Sequence, residues 1–168
     1  MMKEQNLIRD LVPETDPILT EVMPKFDFAD PPMEPGELAH TLAQSCLKHN
    51  GLALSANQIG LRIRAFIIKA TPMICMINPN IVGESTNLTE DDEGCLSHPG
   101  LVLKVNRSDV IRVRFANPSG EIDTNRYEGI TCRIIQHEVD HLNGILFTSN
   151  VSRLKLEMAR KKARKAGR

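Results

Sequence analysis

Aromatic residues are scarce in this chain, which has no tryptophan, one tyrosine and five phenylalanines among its 168 residues. Aliphatic side chains and methionine must therefore fill the core, and a chain of this length is typical of one domain with one core. No apolar run approaches the roughly 20 residues that a membrane-spanning helix requires. The polar N-terminus of mixed charge resembles neither a secretory signal nor a transit peptide. The sequence thus predicts a cytoplasmic protein with no membrane partner.

The four cysteines, Cys46, Cys75, Cys95 and Cys132, include no Cys-x-x-C pair. A chain of this size does not need a disulfide framework for stability. In a reducing compartment, each cysteine is either a buried apolar residue or a chemically active group.

The formal net charge is zero, but the charges are unevenly distributed. Residues 151–168 hold eight Lys or Arg and a single acid, Glu157, so the rest of the chain is acidic. This asymmetry indicates that the tail has a partner of its own, and a solvated terminal helix is the alternative. Val151, Leu154 and Met158 form a narrow stripe through which such a helix could dock on the domain.

Helical periodicity is clearest in three segments, residues 34–49, 129–142 and 152–165. The first has acids at its start, where the helix dipole favours them. The second is apolar on more than one side, as a central buried helix would be. The third is basic and reads as an exposed helix, whereas residues 1–32 are rich in proline and predict an irregular arm.

Short β-like runs lie between the first two helices, at residues 64–69, 73–78, 101–105, 110–117 and 121–128. The last two flank Pro118-Ser119-Gly120 and predict a hairpin. Strands followed by a late buried helix predict an α+β fold with antiparallel β-sheets around that helix. We therefore expect a single catalytic domain, 1–152, followed by a basic C-terminal helix, 153–168.

The sequence His137-Glu138-Val139-Asp140-His141 is an H-E-x-x-H motif on the predicted central helix. Residues i and i+4 share one helical face, so both imidazoles can bind one metal ion. Glu138 could take a proton from a water bound to that ion and pass it to a leaving group. Two satisfied core histidines are the alternative, and a catalytic metal usually has three protein ligands.

Spacing alone leaves the third ligand open. The candidates are Cys95, Cys132, His98, Glu157 and His49. Cys132 lies about 140° around the helix from His137 and faces away from it. Glu157 lies where a zinc protease of the glutamate type finds its third ligand. Cys95 follows the flexible Gly94 between β-like runs, where a thiolate could be held rigidly against the helix.

Three ordered motifs resemble those of the peptide deformylase family, which are Gly-x-Gly-x-Ala-Ala-x-Gln, Glu-Gly-Cys-Leu-Ser and Gln-His-Glu-x-Asp-His. The second motif is complete at residues 93–97 and the third at 136–141. The first appears at 51–58, where Ala53 replaces the second Gly and Ser55 replaces the first Ala. Ala53 is expected to narrow the entrance to the site or to shift the bound peptide slightly, without abolishing activity, whereas Ser55 is small enough to be neutral.

The resemblance implies a metal-dependent hydrolase that removes the formyl group from N-formylmethionyl nascent polypeptides and releases formate. It assigns three metal ligands, Cys95, His137 and His141. It assigns Glu138 as the general base and acid. The Gln58 side chain and the Leu96 backbone N–H would stabilise the formyl oxygen as it becomes an oxyanion.

Three further residues match family positions around these ligands, namely Glu93, Arg107 and Asp140. Glu93 would orient a ligand or the Cys95 loop, and Arg107 with Asp140 would form a buried pair. Five residues would surround the methionine side chain, namely Leu52, Ala53, Leu54, Ile130 and Ile134. Core packing is an equal alternative for the leucines and isoleucines. Arg133 stands where an apolar residue is expected, and points to solvent or meets the downstream peptide.

A cysteine and two histidines bind most first-row ions. The resemblance favours Fe²⁺ in the cell, with Zn²⁺, Ni²⁺ or Co²⁺ possible in purified protein. It also implies contact between the tail, 153–168, and the ribosome, where the basic side chains would meet RNA phosphates. Two other hypotheses remain: an H-E-x-x-H zinc metalloprotease with Glu157 as third ligand, and an RNA-binding factor with structural histidines.

Overall fold

The computed structural model describes residues 7–167. Residues 1–6 of the predicted arm and Arg168 of the predicted tail lie outside the described residues. The α-helices are α1 (Pro35–Lys48), α2 (Gly129–Leu142) and α3 (Arg153–Ala166). The strands are β1 (Ala53–Ser55), β2 (Ala65–Ile68), β3 (Ile74–Glu84), β4 (Leu88–Cys95), β5 (His98–Ser108), β6 (Val110–Ala116) and β7 (Ile122–Glu128). Short 3-10 turns lie at Pro17–Thr20, Ala56–Ile59 and Phe147–Asn150.

The strands form two antiparallel sheets. The larger has the order β1-β2-β3-β6-β7, and the smaller is the β4–β5 ribbon. Helix α2 contacts β1, β2, β6 and β7 of the larger sheet and β5 of the ribbon. The expected α+β fold, with antiparallel sheets around a central helix, is therefore confirmed.

The larger sheet and the ribbon divide the core into clusters of buried apolar side chains, and the helices pack against these clusters. On one side, the apolar face of α2 packs on the sheet through Cys132, Ile135, Val139 and Leu142. On the other, α1 packs on the sheet through Leu38, Leu42 and Cys46. Burial of each aliphatic side chain stabilises the fold by roughly 1.5–3 kcal/mol, so these contacts hold α2 firmly in the centre.

The predicted helices and the 110–117/121–128 hairpin match the structure to within a residue or two. Strand β4 was not predicted. It carries the exposed acids Glu90, Asp91 and Asp92 and shows no apolar alternation, because most of its side chains face solvent. Backbone pairing to β5, which local sequence does not reveal, holds it in place.

The predicted docking stripe on the C-terminal helix is wrong in two of its three residues. Leu154 and Met158 are 67% and 65% exposed, and α3 packs on the ribbon through Leu156 and Ala159, with Val151 beside them. Residues 154 and 156 lie about 200° apart around a helix, so the buried face is nearly opposite the predicted one. Within residues 7–167, no helix is both long and apolar enough to cross a membrane.

We predict that Gly144→Ala destabilises the protein far more than Gly129→Ala. Both glycines have positive φ, +70° and +64°, so each alanine costs about 1–2 kcal/mol of backbone strain. A Cβ at Gly144 would also lie 2.5 Å from the backbone oxygen of Thr20, whereas one at Gly129 meets nothing within 4 Å. Urea unfolding should show a further loss of roughly 1–3 kcal/mol in Gly144→Ala. Equal losses in the two variants would contradict the packing described for this turn.

Candidate metal centre

Helix α2 and the turn of the ribbon bring three metal-binding side chains together. Cys95 ends β4, and His137 and His141 lie one turn apart on the face of α2 that meets the ribbon. The Sγ of Cys95 is 3.2 Å from Nε2 of His141, which is 3.2 Å from Nε2 of His137. All three ligand atoms lie within 4.8 Å of one another.

This arrangement fits a metal ion. Zinc-type bonds of about 2.0–2.3 Å place ligand atoms roughly 3–4 Å apart, which is the spacing seen here. A ligating imidazole usually has its second nitrogen fixed by a neighbour, and Nδ1 of His137 lies 3.0 Å from Oε2 of Glu93. The Nδ1 of His141 is buried and has no partner in the described part of the chain.

The charges of the cluster provide a thiolate ligand, whereas His137 carries a proton that a metal ion must displace on binding. Burial raises the pKa of Cys95, but hydrogen bonds to His137, His141 and His98 outweigh this effect and bring the pKa to about 3. Burial lowers the pKa of His137, but hydrogen bonds to Cys95 and Glu93 raise it to about 10. Cys95 is therefore a thiolate at neutral pH, which is the form that binds metals.

Glu93 is a buried carboxylate held by several donors. Arg107 donates from Nε and Nη2 to its two oxygens at 2.9 and 3.0 Å, and Arg107 Nη1 donates to Asp140 at 2.5 Å. Burial raises the pKa of Glu93, but the bonds to His137 and Arg107 lower it to about 2. The structure thus brings the predicted bracing residues together around His137.

Arg133 does not point to solvent, which excludes one of its two sequence-based expectations, and contact with the downstream peptide stays a prediction. Its guanidinium is buried and donates to Glu93 Oε1 at 2.9 Å, to the Val105 carbonyl at 2.8 Å and to the Thr89 carbonyl at 2.7 Å. The side chain also borders the pocket at the metal cluster. Its main partner, Glu93, lies 40 residues away in sequence, so no local pattern could have revealed the pairing.

Glu138 is buried beside the cluster, and burial raises its pKa. The Ser55 hydroxyl hydrogen-bonds to Oε2 of Glu138, a contact that the sequence did not reveal, and the expectation that Ser55 is neutral stays a prediction. Ser55 can reach Glu138 because β1, which carries Ser55 and pairs with β2, lies against α2. Glu138 borders the same pocket as Cys95 and His137.

Gln58 lies on the turn that follows β1. Its Oε1 accepts from the Ser55 backbone N–H at 2.9 Å, and its Nε2 donates to Ser97 Oγ at 3.0 Å. The same Nε2 is 3.7 Å from the Cys95 sulfur. Gln58 and Leu96 both border the pocket, so the two predicted oxyanion donors lie on its wall. The contact with Ser97 was not anticipated from the sequence.

The pocket in front of the cluster has a volume of about 410 Å³. Four of the five predicted pocket residues line it, namely Leu52, Ala53, Ile130 and Ile134. Leu54 does not, which corrects the prediction. Successive side chains of a strand alternate between faces, and Leu54 points away from Ala53 into the core beneath α1.

Three of the other ligand candidates lie away from the cluster, and the fourth, His98, lies beside Cys95 but outside the group of three ligand atoms. Glu157 is exposed on α3 and pairs with Arg153 at 2.9 Å, His49 contacts the Arg9 carbonyl, and the Cys132 thiol faces the Ser108 carbonyl. His98 lies opposite Cys95 in the ribbon and packs on Phe147 with ring centroids 5.7 Å apart. The three-ligand set required by the metalloprotease hypothesis is therefore not assembled.

Comparison with known proteins gives a consistent result. A family model described as polypeptide deformylase matches residues 8–157. A peptide deformylase of Agrobacterium fabrum is 33% identical over an alignment of 168 positions that covers 96% of this chain and 97% of the relative. One of Mesorhizobium japonicum is 34% identical over 94% of this chain and 92% of its own length.

Solved structures agree. A peptide deformylase from Synechococcus elongatus in complex with actinonin has a TM-score of 0.85 and 32% identity, covering 92% of this chain and 85% of that one. A peptide deformylase from Legionella pneumophila has a TM-score of 0.85 and 30% identity, covering 95% of each chain.

We predict selective alkylation of Cys95 in protein stripped of metal. Near pH 6, a thiol with a pKa of about 3 is a thiolate, whereas Cys46 and Cys75, with pKa values of about 11 and 12, stay protonated. Mass spectrometry after brief iodoacetamide treatment should show Cys95 labelled at least about tenfold faster than either. Labelling should be suppressed when Zn²⁺ is restored. Similar rates at all three cysteines, or no protection by zinc, would contradict the assignment.

Proposed function

The chain belongs to the polypeptide deformylase family, and we propose that Cys95, His137 and His141 form the metal centre at which it acts. As a member of this family, it is a metal-dependent hydrolase that removes the N-formyl group from nascent peptides. The observation that carries the site assignment is the meeting of one sulfur and two imidazole nitrogens beside the buried carboxylate of Glu138.

Different residues of the pocket have different roles in amide hydrolysis. When bound, the metal ion supplies Lewis acidity that lets water act as a nucleophile at neutral pH. One oxygen of Glu138 is anchored by Ser55, and the carboxylate borders the pocket. Glu138 takes a proton from the attacking water and delivers it to the amine nitrogen as the C–N bond breaks. The products are formate and a peptide with a free amine.

Gln58 and Leu96 stabilise the charge that develops on the formyl oxygen. The bond to Ser97 fixes the Gln58 amide on the pocket wall before substrate arrives. A donor that is already oriented costs little reorganisation during the reaction, and each such donor typically lowers the barrier by a few kcal/mol. The Leu96 backbone N–H adds a second donor next to the ligand Cys95.

The apolar part of the pocket receives the methionine side chain. Ile130 and Ile134 lie one turn apart on α2, and Leu52 and Ala53 approach from the segment around β1. Ala53 is nearly buried, so its methyl group narrows this slot. A flexible thioether chain is well suited to such a confined apolar space.

For the metal, we propose Fe²⁺ in the cell, with Zn²⁺, Ni²⁺ or Co²⁺ as substitutes in purified protein. The thiolate and two imidazoles accept all four ions, so the ligands alone do not select one. The choice of iron rests on the family resemblance. We also propose that the protein acts in the cytoplasm, where nascent chains are made, and that residues 1–152 form its catalytic domain.

We predict that Cys95→Ala and Glu138→Gln abolish formate release from a formyl-methionyl tripeptide. Loss of a general base costs roughly a hundredfold or more in rate, and loss of the sulfur removes a metal ligand. The assay is anaerobic release of formate, with metal content measured in parallel. Glu138→Gln should retain its metal, whereas Cys95→Ala should not.

The matched control is Cys75→Ala, because Cys75 is a buried core residue away from the cluster. It should release formate at close to the normal rate. Full activity in Cys95→Ala or in Glu138→Gln would exclude the proposed roles, and cleavage of unformylated casein would favour the metalloprotease hypothesis instead.

We further propose that α3 contacts ribosomal RNA. Four of its basic residues, Lys161, Lys162, Arg164 and Lys165, are exposed. The opposite face of α3 packs on β5, so the helix is anchored while its charges remain accessible to phosphates.

We predict that Lys161→Glu/Lys162→Glu weakens co-sedimentation with ribosomes roughly tenfold at about 100 mM salt, because each lost phosphate contact reduces the release of counterions. Hydrolysis of a free formylated tripeptide should not change. The control Lys48→Glu/Lys69→Glu alters the same number of exposed lysines elsewhere. Equal effects of the two double variants, or no effect of the first, would contradict this proposal.

A further inference from the structure

A second cavity, of about 530 Å³, shares no lining residue with the pocket at the metal centre. Its walls come from the N-terminal arm and from β3, β6 and β7. Its lining includes Met23, Lys25, Phe28, Arg64, Arg114 and Ile122. Its volume lies within the range of about 300–1,000 Å³ that is typical of small-molecule sites.

The cavity exists because the larger sheet is interrupted at this point. Between Ile77 and Asn80 of β3, the register with β6 shifts by one residue, which is a β-bulge. Asn78 in the bulge has a φ of +52°, an uncommon conformation for a residue other than glycine. Its side chain bonds to the Phe26 N–H and carbonyl at 2.7 and 2.8 Å and ties the arm across the gap. Bulges and strained residues often occur beside functional sites.

The polar lining of the cavity is positive. Lys25, Arg64 and Arg114 line it, and no Asp or Glu does. None of the three forms a salt bridge with another described residue. Arg64 is half-buried and its guanidinium is fixed by the carbonyls of Leu142 and Pro79 at 3.2 and 3.4 Å. The three cations that line the cavity therefore lack a counter-charge from the described residues.

The rest of the lining is largely apolar. Met23 and Phe115 are buried at its base, whereas Phe28 and Ile122 are exposed at its rim, by 37% and 54%. Water covers these rim side chains at a free-energy cost that a ligand with an apolar body would remove. An inorganic anion would neutralise the cations but would leave the apolar rim exposed to water.

We propose that this cavity binds a small organic acid that has an apolar body and a carboxylate head. The carboxylate lies between Arg64 and Arg114, where guanidinium N–H groups can donate to both oxygens. The body lies against Phe28 and Ile122. The proposal involves neither the metal ion nor formyl chemistry, so it stands or falls separately from the proposed function.

The test uses 2-naphthoate as the probe and ¹⁵N-labelled full-length, zinc-loaded protein. Titration should give saturable shifts of the amide signals of Phe28, Asn78 and Ile122, without matching shifts at Leu96 or Gly94. The neutral isostere 2-naphthalenemethanol should bind at least about tenfold more weakly, because it lacks the charge-assisted bonds. Inorganic phosphate alone should bind more weakly than naphthoate.

Arg64→Gln and Arg114→Gln should each weaken naphthoate binding roughly tenfold. The matched control is Arg126→Gln on the same sheet, since Arg126 pairs with Glu128 and does not line the cavity. Arg114 is exposed, so its variant keeps the test valid if Arg64→Gln fails to fold. Three results would overturn the proposal: equal binding of acid and alcohol, an equal effect of Arg126→Gln, or displacement of naphthoate by a short RNA that binds more tightly.

Discussion

The buried carboxylate of Glu93 is the constraint on which the arrangement of Cys95, His137 and His141 depends. It accepts hydrogen bonds from Arg107 and Arg133 and meets Nδ1 of His137. A buried charge is costly unless each of its neighbours is present and well oriented. Because these partners come from β5 and α2 while Glu93 comes from β4, the correct pairing fixes the ribbon against the central helix.

The position of the cysteine follows from that arrangement. Cys95 is two residues beyond Glu93 on the same strand, so a carboxylate that holds His137 also sets the distance from the sulfur to the helix. Both histidines are held in position by α2, whose apolar face packs on the larger sheet. Two rigid elements therefore hold the thiol and the two imidazoles together, with their side chains ordered by packing and hydrogen bonds.

The sequence predicted the features that depend on residues close together in the chain. The i, i+4 histidines, the buried helix around them and the 110–117/121–128 hairpin all depend on residues close in the chain, and the family motifs supplied Cys95. The features that were missed depend on distant partners. Arg133 is explained only by Glu93 and the carbonyls of the ribbon, and β4 only by its pairing with β5. The buried face of α3 likewise depends on where β5 lies.

The geometry of β1 shows where Ala53 and Ser55, the two departures from the first motif, lie in the structure. Side chains two residues apart on a strand share a face, so Ala53 and Ser55 both face the region of α2, whereas Leu54 points into the other core cluster. Ala53 borders the pocket, and Ser55 bonds to the carboxylate of Glu138. Ala53 adds a methyl group to the pocket wall, and Ser55 holds one oxygen of the Glu138 carboxylate. Both changes therefore act where β1 lies against α2.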